Sequence, residues 1–301
     1  MVRPARWRAK SIPTDGRTMN YRHAFHAGNF ADVLKHAALI GLLDALQAKP
    51  AALCYVDTHA ARGMYDLRGE QAAKTQEHAD GVQRLLGAPG LPPALRRYVD
   101  VVRAFQPSSD AALTCYPGSP LIAQRLLREQ DRAILCELQE EEAAALRRTL
   151  AGDARCAVHE RDGYAAMKAL LPPAQKRGLV LIDPPFEAQG AEFTLIQDAL
   201  ANAFTRWPNA TYAVWYPIKL RETIQPFHRW LQHNAGKADV LAAELLLHPD
   251  NSGLRLNGCG LAIVNPPWQF DRILQEWMPA LKDLVAQGPH GSATVRMLKS
   301  T

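Results

Sequence analysis

The 301-residue sequence has few cysteines, no long apolar run and neither of two common glycine-rich nucleotide-binding motifs. Its five cysteines are scattered and include no Cys-x-x-Cys pair, so we expect neither a disulfide framework nor a zinc ribbon. No apolar run approaches the roughly 20 residues of a membrane-spanning helix. The absence of a strand-terminal Gly-x-Gly-x-x-Gly and of Gly-Lys-Ser/Thr argues against a dehydrogenase and a P-loop hydrolase. We therefore expect a globular, cytoplasmic protein with reduced thiols and no membrane contact.

The charge balance is mildly basic, with 35 Lys and Arg residues against 30 Asp and Glu residues and a net charge of +5. A small excess of this kind favours a polyanionic partner. Five of the basic residues lie in the first eighteen positions, which contain a single acid, Asp15. We predict that residues 1–18 are a basic extension that is disordered or not native, and that the native chain starts at Met19.

Seven strands are predicted, at 53–57, 133–137, 155–159, 179–183, 211–216, 240–247 and 259–264. Helical segments connect the first five and a short connection joins the last two, which is typical of a mostly parallel sheet that ends in an antiparallel hairpin. This α/β plan is the Rossmann-like, seven-stranded sheet of class I S-adenosylmethionine-dependent methyltransferases. The first crossover is far longer than the roughly 30 residues of a simple strand-helix-strand unit. We therefore predict a small helical subdomain at 64–114, inserted into a catalytic domain made of 19–63 and 115–301.

Acidic residues follow the first four strands: Asp57, Glu137, Asp162 and Asp183. In a sheet ordered 3-2-1-4-5, the carboxyl ends of these strands face one crevice. An acid after the second strand is placed to accept hydrogen bonds from the ribose hydroxyls of an adenosine cofactor, and an acid after the third to bind the adenine amino group. Glu137 and Asp162 suit these roles, with Asp57 beside them. Each acid alone could cap a helix instead. An acid at the carboxyl end of each of the first four strands favours a methyltransferase.

The tetrapeptide Asp183-Pro184-Pro185-Phe186 ends the fourth strand, because two prolines cannot continue it. We predict that the Asp183 carboxylate and the Pro184 carbonyl accept the two hydrogens of a substrate amino group, so that the nitrogen lone pair points at the methyl donor. Phe186 supplies a face on which a flat base stacks. These three residues are the predicted catalytic residues.

Six segments together resemble the RlmJ family of large-subunit ribosomal RNA adenine-N6 methyltransferases, from about residue 19 to the C-terminus. They are Tyr21-Arg22-His23 through His36, Asp57-Thr58-His59-Ala60, Tyr116-Pro117-Gly118-Ser119-Pro120, Ile182-Asp183-Pro184-Pro185-Phe186, Trp215-Tyr216-Pro217 and Asn265-Pro266-Pro267-Trp268. The resemblance implies S-adenosylmethionine as cofactor, ribosomal RNA as substrate and Asp183 as the catalytic residue. It places in the cofactor site His36, His59, Ser119, Glu137, Asp162 and Gly163. It also implies that Tyr21, with Arg22 beside it, approaches the RNA. We further expect that the protein is a monomer and binds no metal.

The sequence departs from the family pattern at two positions. The family's turn after the first strand usually reads Thr-His-Ala-Gly-Ala-Gly, whereas Ala61 and Arg62 stand here. The aromatic residue of the catalytic motif is Phe186 instead of the common Tyr. We expect little effect from the second change, because it removes a hydroxyl and keeps the stacking face.

Three other functions stay open. A DNA adenine-N6 methyltransferase would use the same Asp-Pro-Pro motif. A metal-dependent nuclease would need His23, His26, His36 and His59 as ligands, but no pair has helical ligand spacing with a carboxylate partner. A non-catalytic RNA-binding protein would have no reason to keep both prolines of the motif.

Two further features carry weaker predictions. Asn265-Pro266-Pro267-Trp268 has the form of a second catalytic motif, but it ends the seventh strand, away from the crevice, and we expect it to terminate that strand. Basic residues make part of the predicted insertion suitable for phosphate contacts, although a solvated helix face would look the same. These residues are Arg62, Lys74, Arg84, Arg96, Arg97 and Arg103.

Overall fold

The computed structural model describes residues 25–108, 112–186, 189–251, 253 and 256–300. The basic extension at 1–18 and the residues Tyr21 and Arg22 lie outside these ranges, so what the sequence suggests for them stays a prediction. No helix in the described part of the chain is long and apolar enough to cross a membrane.

Ten strands lie within the described residues. They are β1 (Leu53–Asp57), β2 (Met64–Asp66), β3 (Cys115–Pro117), β4 (Arg132–Glu137), β5 (Cys156–Glu160), β6 (Arg177–Ile182), β7 (Thr211–Ile218), β8 (Val240–Leu246), β9 (Gly258–Val264) and β10 (Ser292–Lys299). Eight of them form one sheet in the order β10-β8-β9-β7-β6-β1-β4-β5. The strands β5, β4, β1, β6 and β7 are parallel, which confirms the predicted 3-2-1-4-5 order, and β8 and β9 form the predicted antiparallel pair.

The sheet has one strand more than the seven predicted. The additional strand, β10, lies at the edge and pairs antiparallel with β8, with Ala293 opposite Leu245 and Val295 opposite Ala243. An edge strand has a neighbouring strand along one side only, so more of it is exposed to solvent. Its sequence therefore mixes apolar residues with exposed ones such as Thr294. That composition lacks the continuous apolar run that identified the central strands.

Ten α-helices surround the sheet within the same described residues. They are α1 (Phe30–Gln47), α2 (Glu70–Thr75), α3 (Val82–Leu86), α4 (Pro93–Arg103), α5 (Ser119–Leu126), α6 (Glu140–Thr149), α7 (Gly163–Leu170), α8 (Gln189–Arg206), α9 (Arg221–Asn234) and α10 (Phe270–Val285). Alternate residues of β1 point to opposite faces of the sheet. Tyr55 therefore joins an apolar core with α1, α5 and α10, whereas Val56 joins a second core with α7, α8 and α9. Because both faces are covered, β1 is buried along its whole length.

The segment between β2 and β3 is helical and contains α2, α3 and α4. The two short strands that bound it pair with each other, with Met64 opposite Pro117 and Asp66 opposite Cys115. The α4 residues Leu95 and Tyr98 are fully buried in the same core as α1. The division of the chain into a catalytic domain and an inserted subdomain stays a prediction.

Most arginines of this segment bind groups within the protein. Arg84 donates to the carbonyl of Ala286 at 2.9 Å and pairs with Asp80, and Arg97 pairs with Asp44. Arg96 and Arg103 donate to the main-chain carbonyls of nearby residues. The carboxylates offset the charges of Arg84 and Arg97, whereas Arg96 and Arg103 keep their positive charge, because a carbonyl oxygen does not neutralise a guanidinium.

Candidate active site

Two cavities open at the carboxyl edge of the sheet and meet at Asp183. The first, of about 250 Å³, lies beyond the ends of β1, β4 and β5, and we name it the β1 cavity. The second, of about 570 Å³, is bounded by Trp215 and Pro217 of β7, and we name it the β7 cavity. Lys35, Asp183 and Pro185 line both. A molecule bound in one cavity is therefore next to a molecule bound in the other.

The structure brings most of the predicted site residues together. Those that line the β1 cavity are His36, His59, Ser119, Glu137, Asp162, Gly163 and Pro184. Phe186 lines the β7 cavity. Asp57 lines neither cavity, because it is fully buried behind Ser119 and His59. The structure thus gives Asp57 a supporting position instead of direct access to a ligand.

Glu137 projects from the end of β4 into the β1 cavity and is held by backbone groups. One of its carboxylate oxygens accepts a hydrogen bond from the Ala61 N–H at 2.9 Å, and the other accepts from the Gln139 N–H at 2.7 Å. Burial raises the pKa of Glu137, and these N–H groups offset part of that effect. Each oxygen keeps a further lone pair with which to accept a hydroxyl.

Asp162 combines the helix-capping role with a place in the cavity wall. Its Oδ1 accepts a hydrogen bond from the Ala165 N–H at 2.7 Å and so caps α7. The next residue, Gly163, packs directly on the turn after β1, and a Cβ atom there would lie 2.1 Å from the Thr58 carbonyl oxygen. A side chain at this position would therefore push the turn and the helix apart.

His59 presents a neutral imidazole to the β1 cavity. The hydroxyl of Thr58 donates to the Leu181 carbonyl at 3.1 Å, so we assign the proton of the 2.8 Å contact between His59 Nδ1 and Thr58 Oγ1 to the imidazole. Burial lowers the pKa of His59 to about 4, and Asp183 and Asp162 offset only part of this effect. A neutral ring at pH 7 does not repel a cation that binds beside it.

His36 and Ser119 are fixed by buried hydroxyl and carboxylate groups. The Nδ1 atom of His36 lies 2.7 Å from the Tyr116 hydroxyl, which in turn contacts the Tyr98 hydroxyl at 2.9 Å. Ser119 donates to Asp57 Oδ2 at 2.7 Å. Asp57 also accepts from the Tyr55 hydroxyl at 2.7 Å, so it organises the floor of the cavity.

Lys35 is the residue of this site that sequence reasoning missed. Its ammonium binds Asp183 Oδ2 at 2.5 Å and Asp32 Oδ1 at 2.9 Å, and all three side chains are largely buried. Burial alone would lower the pKa of Lys35, but the two carboxylates outweigh it and the pKa lies well above its usual value. The residue sits among the apolar residues of α1, where a lysine with an acid three positions earlier indicates a buried ion pair.

Phe186 forms an aromatic wall of the β7 cavity together with two other rings. Its ring packs edge-on against Phe193 at 5.3 Å and against Trp215 at 5.8 Å, measured between centroids. Its backbone has a φ of +48°, which is strained for a bulky residue. Strained residues of this kind cluster at ligand-binding sites, because the surrounding structure must hold them in place.

Asn265 lies at the opposite edge of the sheet from Asp183, because β9 runs antiparallel to β7. Its side chain donates to the Ala210 carbonyl at 3.3 Å, and it lines neither cavity. Trp268 of the same motif is 85% exposed. Among the described residues, no group of three His, Cys, Asp or Glu side chains is arranged to hold a metal.

Comparisons with known proteins identify the family of this chain. The sequence model of the family described as ribosomal RNA large subunit methyltransferase D, RlmJ, matches residues 50–298. This protein belongs to the RlmJ family.

Two relatives, each named ribosomal RNA large subunit methyltransferase J, are 38% identical to the chain. The Escherichia coli (strain K12) protein aligns over 277 residues, which cover 92% of this chain and 98% of the relative. The Haemophilus influenzae protein aligns over 281 residues, which cover 93% and 99%. A crystal structure of a Legionella pneumophila protein has a TM-score of 0.82 at 35% identity, over 90% of this chain and 98% of its own.

Ala61 lies in the turn after β1, at the position where the resemblance to the RlmJ family implies a glycine. Ala61 adopts a left-handed φ of +48°, and its N–H donates to Glu137. The neighbouring Arg62 forms a two-point ion pair with Glu142 of α6, at 2.8 and 2.5 Å. The substitution therefore leaves the hydrogen bond to Glu137 in place, but at the cost of backbone strain.

Ala61→Gly is expected to stabilise the protein by up to about 1 kcal/mol. Glycine removes the left-handed strain of roughly 1–2 kcal/mol, and its larger freedom in the unfolded chain cancels part of that gain. The measurement is the free energy of unfolding in urea. Ala60 is the matched control: it lies in the same turn without a positive φ, so Ala60→Gly should destabilise. Equal changes in both variants would contradict the assignment of strain.

Asp57→Asn is expected to gain stability relative to the wild type as the pH rises. Burial raises the pKa of Asp57 from 3.8 to about 6, and hydrogen bonds from Ser119 and Tyr55 offset part of this effect. The folded protein thus holds the Asp57 proton more tightly than the unfolded chain, and ionisation costs stability. From the two pKa values this cost is about 1 kcal/mol at pH 4.5 and about 3 kcal/mol at pH 7.5.

Urea unfolding at both pH values measures the difference between the Asp57→Asn variant and the wild type. The free energy of unfolding of the variant, relative to that of the wild type, should rise by about 2 kcal/mol between pH 4.5 and pH 7.5. Because the comparison is between two pH values, any pH-independent cost of the amide cancels. A difference that does not change with pH would show that Asp57 titrates as it does in the unfolded chain.

Proposed function

We propose that this protein transfers a methyl group from S-adenosylmethionine to the exocyclic N6 of an adenine in large-subunit ribosomal RNA. The observation that carries this function is the position of Asp183, whose carboxylate stands where the β1 cavity meets the larger β7 cavity. Membership of the RlmJ family supports it, since the two relatives are named as large-subunit ribosomal RNA methyltransferases.

The walls of the β1 cavity suit the groups of S-adenosylmethionine. Glu137 offers carboxylate oxygens to ribose hydroxyls, and Asp162 has one oxygen beyond its helix-capping bond for the adenine amino group. Leu138 and Leu195 line the rim with exposed fractions of 56% and 48%, and a flat adenine ring would cover them. When bound, the cofactor supplies a methyl group on a positively charged sulfur, which the neutral ring of His59 tolerates.

Asp183 and Pro184 orient the nucleophile. The Lys35 ammonium donates a hydrogen bond to Asp183 Oδ2, whereas Oδ1 has no hydrogen-bond partner among the described residues. We assign Oδ1 and the Pro184 carbonyl as acceptors of the two N6 hydrogens, an arrangement that turns the nitrogen lone pair toward the β1 cavity. The N6–methyl bond would form as the sulfur–methyl bond breaks, with S-adenosylhomocysteine as the leaving group, and N6 would lose one of its two hydrogens as a proton. No covalent enzyme intermediate is needed, and alignment supplies much of the rate.

The β7 cavity receives the adenine. Phe186, Trp215 and Phe30 give it aromatic walls, and Asp183 lines it where it meets the β1 cavity. A base inside a duplex cannot reach such a site, so the target adenine is either unpaired or turned out of its helix. Tyr21 and Arg22 are proposed to contact the same RNA.

We also propose that the enzyme works as a monomer in the cytoplasm, with residues 64–114 as a helical subdomain of the catalytic domain. The five cysteines are free thiols, as expected in a reducing compartment.

Incubation with labelled S-adenosylmethionine and unmodified large-subunit ribosomal RNA tests the function. Digestion and mass spectrometry of the nucleosides should show label in N6-methyladenosine at one position. A DNA oligonucleotide of the same sequence serves as the comparison substrate. Label in DNA and not in RNA would reverse the assignment of the substrate, and label in neither would contradict the proposed function.

A further inference from the structure

The β7 cavity is acidic, and nearly all of its charges are paired. The four carboxylates that line it are Asp32, Glu77, Asp80 and Asp183. Asp32 and Asp183 share Lys35, Glu77 binds His26 at 3.0 Å, and Asp80 binds Arg84 at 2.5 Å. An interior of this kind accepts the N–H and O–H donors of a nucleoside but repels its phosphates. The phosphates of a bound RNA therefore have to stay at the mouth.

Lys219 is the cation at that mouth. It is exposed, it lines the β7 cavity, and no carboxylate lies within 4.0 Å of it in the described ranges. Lys219 follows β7, in which Trp215 and Pro217 also line the cavity. Lys219 comes directly after the strand and lines the same cavity, so it extends this wall beyond β7.

The backbone at Lys219 is held although its side chain is exposed. The buried Asn257 donates from Nδ2 to the Lys219 carbonyl at 2.6 Å and from its N–H to the Ile218 carbonyl at 2.9 Å. Arg221, two residues further on, binds Glu244 and Asp250 at 2.6 Å each. The backbone that carries the Lys219 side chain is thus held in place beside the cavity. This limits the backbone entropy that is lost when the ammonium binds a ligand.

Given the proposed function, we infer that Lys219 contacts a phosphodiester of the RNA strand beside the target adenosine. The base enters the cavity toward Asp183, and the strand it belongs to crosses the rim. A lysine that has no ion-pair partner in the described part of the chain is available there to neutralise a phosphate and release its counterion. Arg84 and Arg97 of α3 and α4 have carboxylate partners within the protein, and none of the arginines of these two helices lines the β7 cavity.

The salt dependence of RNA binding tests this contact. Fluorescence anisotropy measures the Kd of an unmodified large-subunit ribosomal RNA fragment between about 50 and 200 mM salt. Lys219→Ala should weaken binding by about three- to fivefold at low salt and reduce the slope of log K against log salt by about 0.7 to 1. Lys219→Arg should keep the wild-type slope, because it keeps the charge.

Lys176 provides the matched control. It is also an exposed lysine, but it immediately precedes β6 and so lies at the opposite edge of the sheet from Asp183. Lys176→Ala should keep the wild-type slope. An unchanged slope for Lys219→Ala in a protein that still methylates the RNA would overturn the contact and leave the proposed function standing. A wild-type protein that neither binds nor methylates the RNA would overturn both.

Discussion

Asp183→Asn is expected to lower the rate of RNA methylation by about 10²- to 10³-fold, the effect of losing one preorganised hydrogen-bond partner. The reason lies in the geometry of the pair with Lys35. An amide has one acceptor oxygen, and the Lys35 ammonium, 2.5 Å from Asp183 Oδ2, would bind it. The amide NH₂ group would then face the adenine N6, so that two donors meet where an acceptor is needed.

Single-turnover rates with saturating cofactor and RNA measure this effect apart from binding. The variant should stay folded, because asparagine fills the same space and still accepts a hydrogen bond from Lys35. Asn265→Gly is the control, since the second Asn-Pro-Pro motif lies at the other edge of the sheet and its φ of +55° suits glycine. If Asn265→Gly lost activity and Asp183→Asn kept it, the motif at Asn265 would be the catalytic one and the motif at Asp183 would not.

The central part of the fold could be predicted because each strand had its own local evidence. The strands β1, β4 and β6 are apolar runs buried on both faces, and acids follow them at the sheet edge. Short or half-exposed strands lack such evidence. β2 has three residues and, within the described ranges, pairs with β3 alone, about 50 positions later, so its sequence alone does not define it as a strand.

The residues of the candidate site could also be predicted only in part. The strand order alone placed Glu137, Asp162 and Asp183 around one crevice, and the structure puts all three at the β1 cavity. The same reasoning placed Asp57 with them, but the Tyr55 and Ser119 hydroxyls bind Asp57 below the cavity wall. Which side of a strand end faces the ligand depends on packing that the linear sequence does not express.

Lys35→Met is expected to destabilise the protein by about 3–5 kcal/mol, because it removes the ammonium that binds two largely buried carboxylates. Asp32 and Asp183 are only 2% and 15% exposed, and Lys35 is the ammonium that lies between them. A loss of this size is a large fraction of the 5–15 kcal/mol by which a typical protein is folded. Urea unfolding at pH 7.5 measures it.

A second variant separates stability from catalysis. Lys35→Met with Asp32→Asn removes one of the two carboxylates that lose Lys35 and should recover part of the lost stability, since an amide is cheaper to bury than a carboxylate. It should not recover methylation, because Asp183 still lacks the ammonium that fixes its Oδ2 and leaves Oδ1 to the substrate. Recovery of the methylation rate together with stability would mean that Lys35 serves the fold alone. Recovery of stability without activity would make it a residue that positions Asp183.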